Sequence, residues 1–546
     1  MDFYAHRRFL AMEARQIRQG RWLSMLSLLV CLSIALQVFG QSPNAELTKA
    51  LDDLEANPAL GARYLTLYNI PPDDRAETAA VVSFVLNSIS RGDVIVHPVR
   101  VQETLLRFEM TSVAPRPEQY NAWSTAWEEL ASSDPYWHIK TKVEVDLVVG
   151  KSKAAAGKNP TKEPVKKSIK EVYTHGGWLD LAKAERLREL SGSGGALLRA
   201  DYFIANSILP PSYYDFSGIP STEASFYKDH LGLDTPTVVR LRGVQGANLF
   251  RSGVTDKPRR LSRWPLVSGG SLWITKDVAR PTADQDTFRE PRQLEFKYDA
   301  SESIAALPTG LHLYALFDSK GARVDAVPAG IAIDHSPLTP VPVPLQPMLS
   351  CVRCHSPEGG LISFNDDQSK LLATRIGLAA ENPETAQQLS SFYGRQSRLA
   401  RFLGRDREDY IEAVSLAAID SDPKSIGESL SRAYLRYARE YVDASQALVE
   451  LGIQPNQAED GKTNAANLQL KERLRSTRDP LLLALMEGIP IQRTQFEFSY
   501  AEAAFLAVEQ SNPAPTAPPS NTRKAHSKPP TTRGSQVFGE PLEKKR

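Results

Sequence analysis

The residues of this chain best equipped for chemistry are Cys351, Cys354 and His355, which stand together as Cys351-Val352-Arg353-Cys354-His355. A Cys-x-x-Cys-His pentapeptide is the attachment pattern of c-type haem. Each thiol adds across a porphyrin vinyl group to give a thioether, and the imidazole beside the second sulfur lies under the ring as the proximal iron ligand. Cysteine usage supports this reading: of three cysteines in the chain, the third, Cys31, falls in an apolar N-terminal run. Three other readings stay open, the plainest being a motif that never takes up haem. A lone redox disulfide calls for a thioredoxin-like strand-to-helix setting, which the flanking sequence lacks. A zinc site calls for a fourth ligand, and the sequence offers no second Cys or His pair at finger spacing. On the haem reading the cofactor is one covalent haem c, with Cys351 and Cys354 as thioethers and His355 as axial ligand.

The motif does not set the sixth iron ligand. Met486 is the only methionine downstream of it, in helical, apolar surroundings that suit a core side chain as well as a distal ligand. Met348 is too near Cys351 to cross the haem plane easily. His175, His312 and His335 remain, each with an ordinary reading as a hydrogen-bonded or surface histidine. The choice has consequences, because Met raises the reduction potential relative to His and an open position admits ligand or peroxide chemistry.

The elements that must hold these residues come from a chain of 546 residues, 42% hydrophobic and 24% charged, enough for two or three domains. A net charge of +1 gives no field that calls for nucleic acid. Residues 1–40 read as a targeting segment: arginines at 7, 8, 15, 18 and 21 precede an apolar run from Trp22 to Phe39. That run of about 18 residues can also just span a bilayer, so a signal peptide and an uncleaved N-terminal anchor both fit. Either fate places the mature chain in the periplasm or outside the cell, where bacterial covalent haem attachment takes place.

The expected fold class is α+β. A mixed N-terminal domain occupies 41–150, with helices over 45–55 and from Pro71-Pro72-Asp73-Asp74 onward, strands over 94–96, 99–108 and 143–149, and an aromatic core group of Trp123, Trp127, Tyr136 and Trp137. A Lys-rich flexible insertion follows at 151–170, carrying seven lysines. An α+β region with a β-meander spans 171–350, its strands expected over 293–298, 303–307, 311–317 and 322–327. Ser191-Gly192-Ser193-Gly194-Gly195 lacks dinucleotide-binding spacing and reads as a turn. The arginines and lysine at 240, 242, 251, 257, 259, 260 and 263 suit haem propionates, or more simply a solvated surface. Five prolines between 337 and 347 forbid a helix leading into the motif. Residues 351–510 hold the haem-attachment motif and a mainly helical region, with helices expected over 368–380, 383–403, 407–416, 425–451 and 465–486. Residues 511–546 read as a disordered tail. The motif therefore marks a seam between meander and helices.

Six further strings recur in order: Arg63-Tyr64-Leu65-Thr66-Leu67, Leu86-Asn87-Ser88-Ile89-Ser90, Arg199-Ala200-Asp201-Tyr202-Phe203, Phe250-Arg251-Ser252-Gly253-Val254, Leu307-Pro308-Thr309-Gly310-Leu311 and the stretch 487–497 ending in Arg493-Thr494-Gln495-Phe496-Glu497. Together with the motif they resemble uncharacterised exported cytochrome-c-like proteins of planctomycete-type bacteria that carry one CxxCH after a β-rich region. The resemblance implies haem binding and single-electron transfer with a redox partner protein. The alternatives are a five-coordinate haem enzyme or gas or peroxide sensor, and a structural or binding protein with incidental haem. No nucleophile elbow, P-loop or HExxH appears in the sequence.

Overall fold

The computed structural model describes residues 43–511 apart from 135, 137, 146–168, 176–179, 234–243, 250–254, 256, 258, 280–296, 328–329, 335–342, 365–382, 385–386, 388–391, 394–395, 452 and 454–463. The targeting segment, most of the Lys-rich insertion, the helix expected over 368–380 and the tail beyond 511 lie outside the described residues. The protein is of mixed α+β class.

Helix α1 (Pro43–Ala56) leads into β1 (Ala62–Thr66), every residue of which is buried. Helix α2 (Arg75–Ser88) follows, then the hairpin β2 (Val99–Gln102) and β3 (Leu105–Glu109). Expected strand 94–96 is irregular, because Asn87 takes its hydrogen bonds: Asn87 Nδ2 donates to Val96 O at 2.8 Å and Val96 N donates to Asn87 Oδ1 at 2.7 Å. Helix α3 (Pro117–Ser133) precedes the antiparallel pair β4 (His138–Val145) and β5 (Ile169–His175). The last two residues of the expected flexible insertion are thus strand. Beyond them β6 (Leu197–Arg199) pairs parallel with β1, giving the order β2-β3-β1-β6. That pairing crosses the 150/171 division expected from composition, and one hydrophobic core runs from Leu47 to Tyr437. Within it Trp123 and Trp127 stack at 5.9 Å with Phe108 edge-on, and helix α4 (Ala200–Ser207) adds Phe203. Tyr136 leaves that group and stacks on Tyr500 at 3.8 Å.

The meander is a five-stranded antiparallel sheet: β7 (Gln245–Leu249), β8 (Arg259–Pro265), β9 (Ser271–Asp277), β10 (Ala300–Ala306) and β11 (His312–Asp318), in that spatial order. Expected strands 303–307 and 311–317 map onto β10 and β11. Residues 322–327 make only isolated bridges, and Lys297 and Tyr298 lie outside any strand, the rest of 293–298 being outside the described residues. The registers put Arg259, Leu261 and Arg263 on one face with Trp273, Thr275, Glu302, Ile304, Tyr314 and Leu316. The solvated-surface reading fails for Arg259, Arg260 and Arg263, which are buried; Arg240, Arg242 and Arg251 lie outside the described residues. In a strand with both faces covered, even charged residues go inside if they are paired. Arg259 binds Asp277 and Glu302, and Arg263 binds Asp406.

Short strands β12 (Ile333–Asp334) and β13 (Val343–Pro344) pair ahead of helix α5 (Leu349–His355), which is the motif itself. The helical C-terminal region comprises α6 (Gln396–Ala417), α7 (Ile426–Arg439), α8 (Ala444–Glu450), α9 (Asn464–Arg473), α10 (Pro480–Met486) and α11 (Arg493–Ser511). The expected helix 425–451 is broken by β14 (Tyr441–Val442), which pairs with β15 (Ile491–Gln492), and Asp443 restarts the helix by accepting from Gln446 N at 2.8 Å. The expected helix 465–486 is likewise interrupted, with Asp479 capping and Pro480 at the first position of α10. No helix among the described residues is long and apolar enough to cross a membrane.

Candidate functional site

The prolines before the motif exclude a preceding helix and at the same time set where α5 starts. Pro344 pairs with Ile333 as an edge residue, and Met348, held at φ 60°, turns the chain so that Val352 N donates to Met348 O at 2.8 Å. The cysteines are therefore helical, and the helix begins with them. In an α-helix, residues three and four apart share a face, so Cys351, Cys354 and His355 all line one cavity while Val352 turns into the core. Arg353, the second of the two residues between the thiols, pairs with buried Asp334 and fixes α5 to β12.

The helix ends in a tight turn. Gly360 N donates to His355 O at 2.9 Å with Gly360 at φ 88°. A Cβ there would lie 2.5 Å from Tyr410 and 2.8 Å from His312, so only glycine fits between them. On the far side of α5, Gly427 of α7 comes within hydrogen-bond reach, its N–H donating to Ser356 Oγ at 3.1 Å.

The cavity has a volume of about 490 Å³, within the range of roughly 300–1,000 Å³ usual for cofactor and ligand sites. Its sheet wall presents Leu261, Trp273, Ile304 and Leu316, and its outer wall presents Leu361, Phe364 and Leu403. Arg407 holds that outer segment, donating to Leu361 O at 2.6 Å and to Ser363 Oγ at 2.9 Å. The polar lining centres on Arg259 and Glu302, whose side chains meet at 3.1 Å.

Electrostatics keep the two thiols and the imidazole of the motif uncharged. Burial pushes the Cys351 thiol well above its ordinary value, and Glu302 and Cys354 add to the effect. Burial also raises Cys354, partly offset by Arg353. Both thiols are free. This is the reverse of the depressed pKa that redox-active Cys-x-x-Cys pairs use. Burial, then the Arg259 charge, lowers His355 to about 4, which leaves the neutral imidazole that ligates metals. Its Nδ1 is buried without a hydrogen-bond partner among the described residues. Glu302 is raised by burial, with Arg259 opposing and Asp277 reinforcing the shift. The residues present fit a c-type haem: two protonated thiols and a neutral imidazole on one helix face, against a mostly apolar cavity. Among the described residues no group of three His, Cys, Asp or Glu side chains is placed to hold a metal ion by themselves.

The remaining ligand candidates are dispersed. Met486 packs among Leu482, Leu485 and Phe496 in a second core within the C-terminal helices and does not line the cavity. The structure does not bring it to the motif. Replacing Met486 with Leu is accordingly expected to leave the absorption spectrum of haem-loaded protein unchanged. Met348 is fully buried beneath the start of α5 and also lies off the cavity. His312 stacks on Tyr410 at 4.2 Å and borders a neighbouring groove. His335 lies outside the described residues, and of His175 only the strand backbone is described. Trp273, Glu302 and Asp406 were missed by sequence reasoning. The alternation of Arg259, Leu261 and Arg263 could have revealed their strand, but a run of cations masked it.

His312 carries a pH prediction. Burial, reinforced by the His355 charge, lowers it from 6.5 to about 3. A histidine depressed by folding contributes full stability above 6.5 and loses it as pH falls toward 3, since the unfolded chain then binds the proton first. In haem-free protein, the drop in stability between pH 7 and pH 5 is expected to shrink by about 2 kcal/mol in His312→Phe. Urea midpoints at the two pH values measure this; equal drops in both proteins would refute it.

No family model matches the chain, and no curated protein or solved structure is detectably similar to it.

Proposed function

We propose that this chain is an exported monohaem c-type cytochrome-like protein that transfers single electrons, its attachment motif lying at the seam between the meander and the C-terminal helices. One observation carries the reading: Cys351, Cys354 and His355 meet on one face of α5 at the wall of a mostly apolar cavity of about 490 Å³. A haem bound there supplies a reversible one-electron couple. The chain's part is to tether it through Cys351 and Cys354, to offer the His355 imidazole, and to exclude water with Leu261, Ile304, Leu361 and Phe364. Thioether formation needs no redox partner, because each S–H adds across a vinyl C=C, sulfur to one carbon and hydrogen to the other. The resemblance to exported proteins with a single CxxCH points the same way, as does the basic, apolar N-terminal segment.

A second reading, a five-coordinate haem enzyme or a gas or peroxide sensor, is favoured by the Arg259 and Glu302 pair at the cavity wall. Co-expression with cytochrome c maturation proteins tests both. Haem stain that survives a denaturing gel and disappears in Cys351→Ala is the expected result, and no stain in the wild type would sink the proposal. The spectrum then separates the readings: low-spin for an electron carrier, high-spin ferric for the enzyme or sensor.

A further inference from the structure

A second depression lies beside the motif cavity, a groove of about 320 Å³ between the sheet and α6. Among the described residues, Trp273 alone lines both. It is 4% exposed, and its indole N–H donates to Asp406 Oδ2 at 2.9 Å. Asp406 also accepts from Arg263 Nε at 2.9 Å, Arg263 Nη2 at 3.1 Å and Ser271 Oγ at 2.5 Å. Removing the indole from this position would strip a buried carboxylate of a donor, so the ring is fixed edge-on to Phe364, 6.3 Å away on the cavity side.

The groove is acidic. Its charged liners are Asp406, Asp409 and Glu412, with no Lys or Arg among the described lining residues. Arg263 neutralises Asp406, while Asp409 and Glu412 are exposed at the rim. An acidic rim alone would be an ordinary solvated helix face. Here the buried His312, which lines the groove with an Nδ1 that has no hydrogen-bond partner among the described residues, and the shared Trp273 wall distinguish it.

We propose that Trp273 is the route by which electrons pass between the motif cavity and this groove, and that the groove docks a one-electron partner with a cationic surface. The inference rests on the haem reading and names its partner chemistry. A haem held by Cys351, Cys354 and His355 would take up the one electron that a docked reductant gives up; the indole would mediate without being oxidised, and no proton would move. The carboxylates steer a cation to the groove by long-range attraction that salt screens.

The test uses the full chain with haem content fixed beforehand by stain and absorbance. Reduction is timed with hexaammineruthenium(II), a cation, and with iron(II)–EDTA, an anion. The double variant Asp409→Asn, Glu412→Gln is expected to slow the cationic reagent on the order of tenfold at low salt and to leave the anionic one unslowed. Trp273→Phe slows the cationic reagent several-fold at all salt concentrations. A readout independent of haem comes from redox-inert hexaamminechromium(III): in the haem-free protein it should broaden the Trp273 indole N–H resonance, and not in the double variant. Fully loaded variants that reduce at wild-type rates, or an unbroadened Trp273 resonance, would overturn the inference and leave the haem reading standing. A chain that takes up no haem overturns both.

Discussion

Gly427→Ala is expected to dislodge the motif helix and to cost about 3 kcal/mol or more, at the upper end of overpacking effects. A Cβ built on Gly427 would lie 2.4 Å from Ser356 Oγ, 2.6 Å from Val352 O and 2.8 Å from Arg353 Cα. The serine hydroxyl can turn aside. The other two atoms are backbone of α5, between the two cysteines, so relief requires α5 or α7 to move as a body. Either shift disturbs the wall that presents Cys351, Cys354 and His355. A lower urea midpoint and reduced covalent haem yield should therefore appear together. Gly404→Ala in α6 is the control, because nothing lies within 4 Å of its added Cβ; there the helix propensity of alanine should stabilise by about 0.5–1 kcal/mol. Wild-type stability in Gly427→Ala would show that the α5–α7 contact is looser than the structure has it.

Arg493→Met is expected to cost about 3–5 kcal/mol, because it removes one side of a buried ionic network and leaves the other charged. Arg493 and Glu450 are both fully buried and meet at 2.9 Å; Arg493 also donates to Glu440 at 2.5 Å. Glu450 accepts in addition from Tyr68 at 2.8 Å and from Tyr136. Burial pulls the Glu450 carboxyl upward, but Arg493 and then Arg199 hold it down at about 2. Arg199, equally buried, pairs with Glu497 and lies 4.2 Å over the Tyr136 ring, and Tyr437 donates to Glu497 at 2.5 Å. The network thus joins β6 and Tyr68 of the N-terminal half to α7, α8 and α11. Losing Arg493 leaves Glu450 and Glu440 without their principal cation. The double variant Arg493→Met, Glu450→Gln should recover part of the loss, since it also removes an orphaned charge. A single-variant loss below about 1 kcal/mol, read from urea midpoints, would mean that water or Arg199 substitutes for the missing guanidinium.

Several of the strings singled out in the sequence meet in this structure. Arg199 and Asp201 of one string face Arg493 and Glu497 of another through the buried network, and Asn87 of a third replaces a strand with side-chain bonds to Val96. The run of cations between 240 and 263 looked like a solvated surface in one dimension. Arg259 and Arg263 show why: a cation inside a sheet is stable only with a carboxylate opposite it, and their partners Asp277 and Asp406 lie 18 and 143 residues away. Periodicity cannot see a pairing of that kind. The interrupted helix over 425–451 has a related cause. Its apolar spacing continues through the break, but Val442 is drawn into pairing with Ile491, and tertiary pairing overrides local propensity. The break in 465–486 is local, set by the Asp479 cap and Pro480.

The sequence by itself placed two thiols and an imidazole at offsets three and four, a spacing that shares one face once the segment is helical. It also determined the α+β class and the helices over 45–55 and after Pro72, whose spacing is a local property. Only the tertiary structure decided that a cavity faces those residues, that Met486 belongs to another core, and that Trp273 and Asp406 stand between the cavity and the surface. These depend on which distant elements bury one another, and burial of polar groups is settled by partners that the chain brings together only when folded.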